Sequence, residues 1–212
     1  MNPPKRIVIA ATGASGALYF EHTVRALLVA GHHADLVISK YGTCTLKEET
    51  DFGAFQGTYL DFLRSKYGAQ LEVGKAILHG HRDQTSRIAS GSGPFDGMAI
   101  VPCSMKTLAA IAHGYGHDLI ARAADVALKE RRPLVIVPRE APLNLVHLRN
   151  MVAITEAGGT ILPASPAFYQ HPRTLDDLAD FIAQRVLSMF GITVDLVPVW
   201  EGLANPSSKR HR

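Results

Sequence analysis

The residues best suited to chemistry stand at the ends of apolar runs. Thr12-Gly13-Ala14-Ser15-Gly16 directly follows Arg6-Ile7-Val8-Ile9-Ala10-Ala11, a β-branched run that stops at a small-residue turn and then enters a helical pattern. Such a turn offers backbone N–H groups and the Ser15 hydroxyl near a helix N-terminus, where partial positive charge favours an anion. The chain therefore opens with an expected phosphate site. Further strand ends carry hydroxyls or charges: Ser39-Lys40, Pro102-Cys103-Ser104-Met105-Lys106-Thr107, Pro138-Arg139-Glu140 and Pro163-Ala164-Ser165-Pro166-Ala167-Phe168-Tyr169. In an open parallel sheet, ligands bind beyond the carboxyl ends of the strands. One serine at such an end is commonly only a helix N-cap. Ser15, Ser39 and Ser104 at separate strand ends favour a ligand.

The ligand can be narrowed. Gly13-Ala14-Ser15-Gly16 is not Gly-x-Gly-x-x-Gly, and Ser39-Lys40 replaces the acidic residue that would bind an adenosine ribose. This argues against NAD. No Gly-x-x-x-x-Gly-Lys-Ser/Thr is present, which excludes a P-loop nucleotide hydrolase. A mononucleotide such as FMN remains, its phosphate held by Ser39 and the Ser104 to Thr107 turn.

The elements that must position these residues alternate. Strands are predicted at 6–11, 34–39, 97–102, 133–138 and 159–163, and helices at 17–30, 105–113, 118–130, 143–157 and 174–190. Strands separated by helices imply parallel pairing through right-handed crossovers. Continuous apolar strands such as Met98-Ala99-Ile100-Val101 imply an α/β sheet covered on both faces. The glycine-punctuated segment 51–96 predicts a helix near 58–67 and short strands near 75–78 and 86–89. Asp83 to Gly93 reads as a polar loop, and its Gly/Ser-rich stretch Ala89-Ser90-Gly91-Ser92-Gly93 as either linker or mobile cover over a site.

Bulk properties suit one domain with a real core: 212 residues, 47% hydrophobic, net charge +3. No run of 18 apolar residues is present, so no membrane span is expected. Met1 to Arg6 lacks an apolar signal region, and Cys44 and Cys103 form no disulfide framework, which together point to the cytoplasm. The charge calls for no nucleic acid. Lys209-Arg210-His211-Arg212 reads as a disordered, solubilising end.

Other motifs invite misreading. Asp176-Asp177-Leu178-Ala179-Asp180 matches a magnesium motif of all-helical polyprenyl diphosphate synthases, yet it follows Thr174, and carboxylates in a first helical turn suit the dipole. It reads as a capped helix start. The histidines, His32-His33 and His79-Gly80-His81 among them, form no credible metal set. Cys103 reads as a small buried thiol. Trp200 closes over an apolar pocket or a neighbouring subunit, or is a stray surface aromatic.

Across roughly residues 5–192 the chain resembles the flavin prenyltransferases of the UbiX family. The match rests on Thr12-Gly13-Ala14-Ser15-Gly16-Ala17, Ile38-Ser39-Lys40, Pro102 to Leu108, Leu119 to Glu130, Val137-Pro138-Arg139-Glu140-Ala141-Pro142-Leu143 and Pro166-Ala167-Phe168-Tyr169. The resemblance implies a Rossmann-like three-layer sandwich with a mostly parallel central sheet. It implies one FMN-binding domain over 1–192 and a C-terminal extension over 193–212. It implies a homododecamer with FMN sites at subunit junctions. The implied reaction joins a dimethylallyl group from dimethylallyl monophosphate to reduced FMN at N5 and C6, without metal. The prenylated FMN then serves UbiD-type decarboxylases, as in ubiquinone synthesis.

By position, Gly13, Ala14, Ser15, Ser39, Ser104, Met105, Lys106, Thr107 and Arg139 are implied to hold FMN. Arg122, Lys129, Arg139, Tyr169 and Arg185 are implied to surround the allylic phosphate, and Ser15, Glu49, Lys129 and Glu140 to act in catalysis. The physics agrees in kind: fixed cations stabilise the charge on a departing phosphate, and Arg122 and Lys129, seven apart, share a helix face. By themselves Lys129 and Arg185 read as solvated surface, and Glu49 as a helix end. Gly114-Tyr115-Gly116-His117-Asp118 departs from the family pattern, in which Asp-Asn or Asn-Asn precedes Leu-Ile. Two other functions remain. A flavin-dependent cysteine decarboxylase shares the fold and uses a histidine of the first helix region, where this chain has His22. A non-enzymatic FMN carrier would leave Arg122, Lys129 and Arg185 without purpose.

Overall fold

The computed structural model describes residues 3–198. Trp200 and the basic tail 209–212 lie outside the described residues.

The first predicted run is strand β1 (Arg6–Ala11). Ile7, Ile9 and Ala11 pack into one core, and Val8 and Ala10 into another. Both faces of the strand are buried, as its unbroken apolar run requires. The other strands are β2 (His33–Ile38), β3 (Lys75–His79), β4 (Gly97–Cys103), β5 (Leu134–Pro138) and β6 (Thr160–Ile161). They form one six-stranded sheet in the order β3-β2-β1-β4-β5-β6. Every pairing is parallel. The sequence implied a mostly parallel sheet; the described sheet is parallel throughout. Strand order reverses between β1 and β4, which opens a crevice beyond their carboxyl ends.

The helices are α1 (Ala17–Val29), α2 (Lys40–Glu49), α3 (Tyr59–Tyr67), α4 (Met105–Ala112), α5 (Leu119–Lys129), α6 (Leu145–Glu156) and α7 (Leu175–Ser188). Buried residues of α1, α3 and α7 share the core with Ile7 and Ile9, and those of α4 and α5 share the core with Val8 and Ala10. The result is the three-layer sandwich that the resemblance implied.

Two local expectations fail. The segment 86–89 is not a strand: Arg87–Ala89 is a single 3-10 turn. Ile88 and Ala89 are apolar because they pack into the core shared by α4 and α5, not because they pair in the sheet. Helix α2 has no predicted range, although the sequence reading of Glu49 as a helix end matches its last residue. Ser39 starts it, accepting from Gly42 N through its hydroxyl at 3.0 Å, and Leu46 buries its inner face.

Candidate active site

The carboxyl edge of the sheet holds a cleft of about 500 Å³, within the usual size of a small-ligand site. Gly13, Ser39, Lys40, Ser104, Lys106, Thr107 and Asp118 line it. Ser39, Ser104 and Asp118 are the N-caps of α2, α4 and α5, so the starts of these helices meet at one cavity. Their caps are engaged as caps: Ser104 Oγ accepts from Thr107 N at 3.3 Å, and Asp118 Oδ1 from Ala121 N at 2.9 Å. The N-cap reading of these serines is therefore correct, and the caps also turn helix N-termini toward the cavity. Converging N-termini favour an anion.

Thr12 splices the edge together, a role its type did not announce. It is buried. Its hydroxyl donates to Pro102 O at 3.0 Å and accepts from Ser104 N at 2.7 Å. The end of β1 thus fixes the start of α4. Gly13 is needed beside it, because a Cβ there would lie 2.5 Å from Tyr41 Cβ.

The turn at Ser15 differs from the expectation of an open phosphate seat. The N–H groups of Gly16 and Ala17 both donate to Glu49 Oε2, each at 2.8 Å. Gly16, with φ 120°, is the residue before α1 and has no side-chain cap of its own, so Glu49 supplies the anion there. Partial burial pushes the Glu49 carboxyl up. The Ser15 hydroxyl, the Ala17 and Gly16 amides and the Arg139 guanidinium outweigh that and hold it below the ordinary value. A carboxylate so held keeps its charge and is suited to positioning rather than to donating a proton. Arg139 Nε donates to Ser15 O at 2.9 Å, so the segments after β1 and β5 meet, although neither residue lines the cleft itself. Tyr19, half-buried beside them, has its phenol pushed up by burial, against the pull of Arg139 and with a further push from Glu49. Its proximity to this group carried no signal in the sequence.

The other expected residues separate into those near the edge and those away from it. Met105 is buried in the core, so only its backbone faces the turn. Ala14 is buried also. Glu140 is exposed at the end of β5, its Oε1 accepting from Ala141 N at 3.1 Å. Tyr169 lies in the exposed segment after β6, whose start is held beside Arg139 by Ala164 N donating to Pro138 O at 3.2 Å. Arg122 lies one turn into α5, with Nε on Ala89 O at 2.9 Å and Nη1 on Asp125 at 2.6 Å. Lys129 pairs with Glu130 at the far end of α5, about 15 Å along the helix from Asp118. Arg185 is exposed near the end of α7. None of Arg122, Lys129 and Arg185 lines the cleft of its own chain.

The misleading motifs resolve structurally. Thr174 and Asp177 form a capping box that starts α7. Asp176 and Asp180 face His22 at 3.3 and 2.6 Å, and Arg25 joins Asp180 at 2.7 Å. Those carboxylates tie α7 to α1. His22 is buried in this contact and does not line the cleft, which removes the feature that favoured a cysteine decarboxylase. Cys103 is fully buried, and burial pushes its thiol up, away from nucleophilic use. Among the described residues no group of three or more His, Cys, Asp or Glu is placed to hold a metal, and no helix is long and apolar enough to cross a membrane.

Comparison with known proteins follows the same geometry. The sequence profile of the Flavoprotein family matches residues 1–187. The flavin prenyltransferase UbiX of Methanothermobacter thermautotrophicus is 44% identical over 93% of this chain and 96% of its own length. A UbiX crystallised with FMN and dimethylallyl pyrophosphate superposes with a TM-score of 0.84 at 40% identity, covering 95% of this chain and all of that one. A dodecameric FMN-dependent UbiX-like decarboxylase from Escherichia coli O157:H7 superposes with a TM-score of 0.80 at 40% identity, over 93% of this chain and 100% of its own.

Proposed function

The chain belongs to the Flavoprotein family, among its flavin prenyltransferases of the UbiX type, and from that premise we propose that it transfers a dimethylallyl group from dimethylallyl monophosphate to reduced FMN. The observation that carries this reading is the cleft at the carboxyl edge, lined by Gly13, Ser39, Lys40, Ser104 and Lys106, with Arg139 bonded to the backbone of Ser15 two residues beyond Gly13. Its chemistry fits a phosphate-bearing flavin: N-capped helix starts, hydroxyls and cations surround it, and its one carboxylate, Asp118, is already engaged as a cap. Gly13, Ala14, Ser15, Ser39, the Ser104 to Thr107 turn and Arg139 are the residues that would hold FMN.

When bound, reduced FMN would supply nucleophilic N5 and C6: one bond, to N5, would form as the allylic C–O bond breaks and phosphate leaves, and the ring-closing bond to C6 would form as the remaining double bond takes up a proton and C6 gives one up. The protein's task is to hold the leaving phosphate and exclude water. Arg139 and Tyr169 are assigned to that phosphate from the chain's own edge. Arg122, Lys129 and Arg185 carry the right charge, but their positions on α5 and α7 call for a neighbouring subunit to bring them to the edge. The dodecameric relative supports such an assembly. Ser15, fixed between Glu49 and Arg139, and the exposed Glu140 are the polar groups assigned to positioning and proton handling. No step requires a metal. The product is assigned to UbiD-type decarboxylases, and the protein to the cytoplasm.

Anaerobic incubation with reduced FMN and dimethylallyl phosphate, followed by mass measurement of the flavin, tests the reading. A gain of one prenyl unit, undiminished by excess EDTA, is expected. An unmodified flavin would leave only an FMN carrier, and a strict magnesium requirement would return the Asp176–Asp180 run to consideration.

A further inference from the structure

We propose that Arg82 clamps the ligand's phosphate from the outer wall of the cleft, and so distinguishes FMN from riboflavin; this rests on the flavin reading above. The floor of the cleft comes from capped helix starts. The outer wall comes from elsewhere, from the segment after β3 that carries His81 and Arg82, and from His117 before α5. No motif in the sequence marks that segment.

The arginine is available. Among the described residues its guanidinium has no carboxylate partner, although it borders the cleft. Asp83, next in sequence, is turned into its own loop, with Oδ1 accepting from Thr85 N at 3.0 Å and from Thr85 Oγ1 at 2.5 Å. Asp118, the cleft's carboxylate, caps α5 through Oδ1 at 2.9 Å and faces His117 Nε2 through Oδ2 at 3.4 Å. Lys40, Arg82 and Lys106 thus bring positive charge to the cavity with no unengaged acid to answer it.

The wall is also fixed, which a passing surface arginine would not need. His81 O accepts from Leu119 N, the first residue of α5, at 2.9 Å. On one side of Arg82, His79 Nε2 lies 2.7 Å from Asp35 Oδ1. That carboxylate is fully buried and also meets Arg6 at 3.2 Å and Arg87 at 3.3 Å. On the other side, Ser86 Oγ lies 2.9 Å from His79 Nδ1. Both ends of the 80–85 loop are therefore tied to one buried ionic cluster. A phosphomonoester carries close to two charges at neutral pH. A guanidinium presents planar paired donors to two of its oxygens, which a lysine cannot do.

The test titrates full-length protein, stripped of flavin, with FMN and separately with riboflavin, following flavin fluorescence at low and high salt. Arg82→Gln is expected to weaken FMN roughly 10- to 100-fold, to flatten the salt dependence, and to leave riboflavin within about twofold. Arg82→Lys should recover part of the loss. FMN affinity unchanged in Arg82→Gln would overturn the assignment, as would equal weakening of FMN and riboflavin, which marks a collapsed wall. If the wild-type protein binds riboflavin as tightly as FMN, the phosphate reading of the cleft falls with it. If the wild type discriminates and Arg82→Gln discriminates equally, only the role of Arg82 falls.

Discussion

The two edges of the sheet hold their cations in opposite ways. At the carboxyl edge, Lys40 and Lys106 face a shared cleft and Arg139 grips the backbone of Ser15. Toward the amino edge, Lys129 rests against Glu130 at the end of α5 and Arg185 is exposed near the end of α7. Arg122 is held by Ala89 and Asp125. The first set is organised by the chain's own caps and strand ends. In the second, Lys129 and Arg185 lie at exposed helix ends, whereas Arg122, one turn into α5, is engaged by its own chain. On the proposed reading, the flavin half of the site would be built from one chain, and the allyl-phosphate half would be completed by a neighbouring subunit.

The most forceful way to break this contrast is to mix subunits. Lys129→Gln and Glu140→Gln should each lower prenylated flavin formation more than about 100-fold, the first by losing a cation that stabilises the departing phosphate, the second by losing a proton-handling group. Co-assembled with each other, they should recover measurable product, because some sites then draw an intact Glu140 and an intact Lys129 from different chains. No recovery in verified mixed assemblies would place both groups in one chain's site. Binding sharpens the same contrast. Lys129→Gln and Arg185→Gln should leave FMN affinity within about twofold, whereas Gly13→Val should lower it at least about tenfold, since the new side chain drives into Tyr41. Fluorescence titration reads both.

Smaller effects test the scaffold. Thr174→Ala should cost about 1 kcal/mol in urea unfolding through the lost cap, with flavin affinity unchanged. A fall in product under limiting magnesium would contradict a structural role for that helix start. Glu49→Gln should cost about 0.5–1 kcal/mol at neutral pH. The folded-state pKa of Glu49 lies below its ordinary value. Its contribution is therefore complete above the unfolded carboxylate pKa and lost as pH falls through the folded one. The wild-type advantage in thermal unfolding should shrink in acid; a constant advantage would show that the charge is not what matters.

Much of this was readable before any coordinates. The strand, turn and helix at β1 and α1 were legible because β-branched residues, small turn residues and helical spacing coincide within a dozen positions. Ser104 and Thr174 were legible because caps are local. The helix α2 was not, since Lys40-Tyr41-Gly42-Thr43-Cys44-Thr45 has no apolar stripe and only Leu46 and Gly42 are buried. The apolar pair Ile88-Ala89 misled because burial in a 3-10 turn and burial in a strand look alike over two residues. The destination of Glu49 was illegible for another reason: it reaches back across 33 residues to Gly16, and only the placement of α2 brings it there. Arg82 had no motif because its setting comes from the buried Asp35 cluster and from α5.

That reach by Glu49 would govern which way round the proposed flavin lands. Along this edge the helix starts at α1, α2, α4 and α5 would all attract a negative group. The start of α1 comes already filled by the chain's own carboxylate, so a phosphate arriving there meets repulsion. On the proposed reading, a flavin's phosphate tail would be steered to the remaining starts, and its ring system would lie toward Ser15 and Arg139. Docking polarity would thereby be set before contact, by the same carboxylate that caps α1.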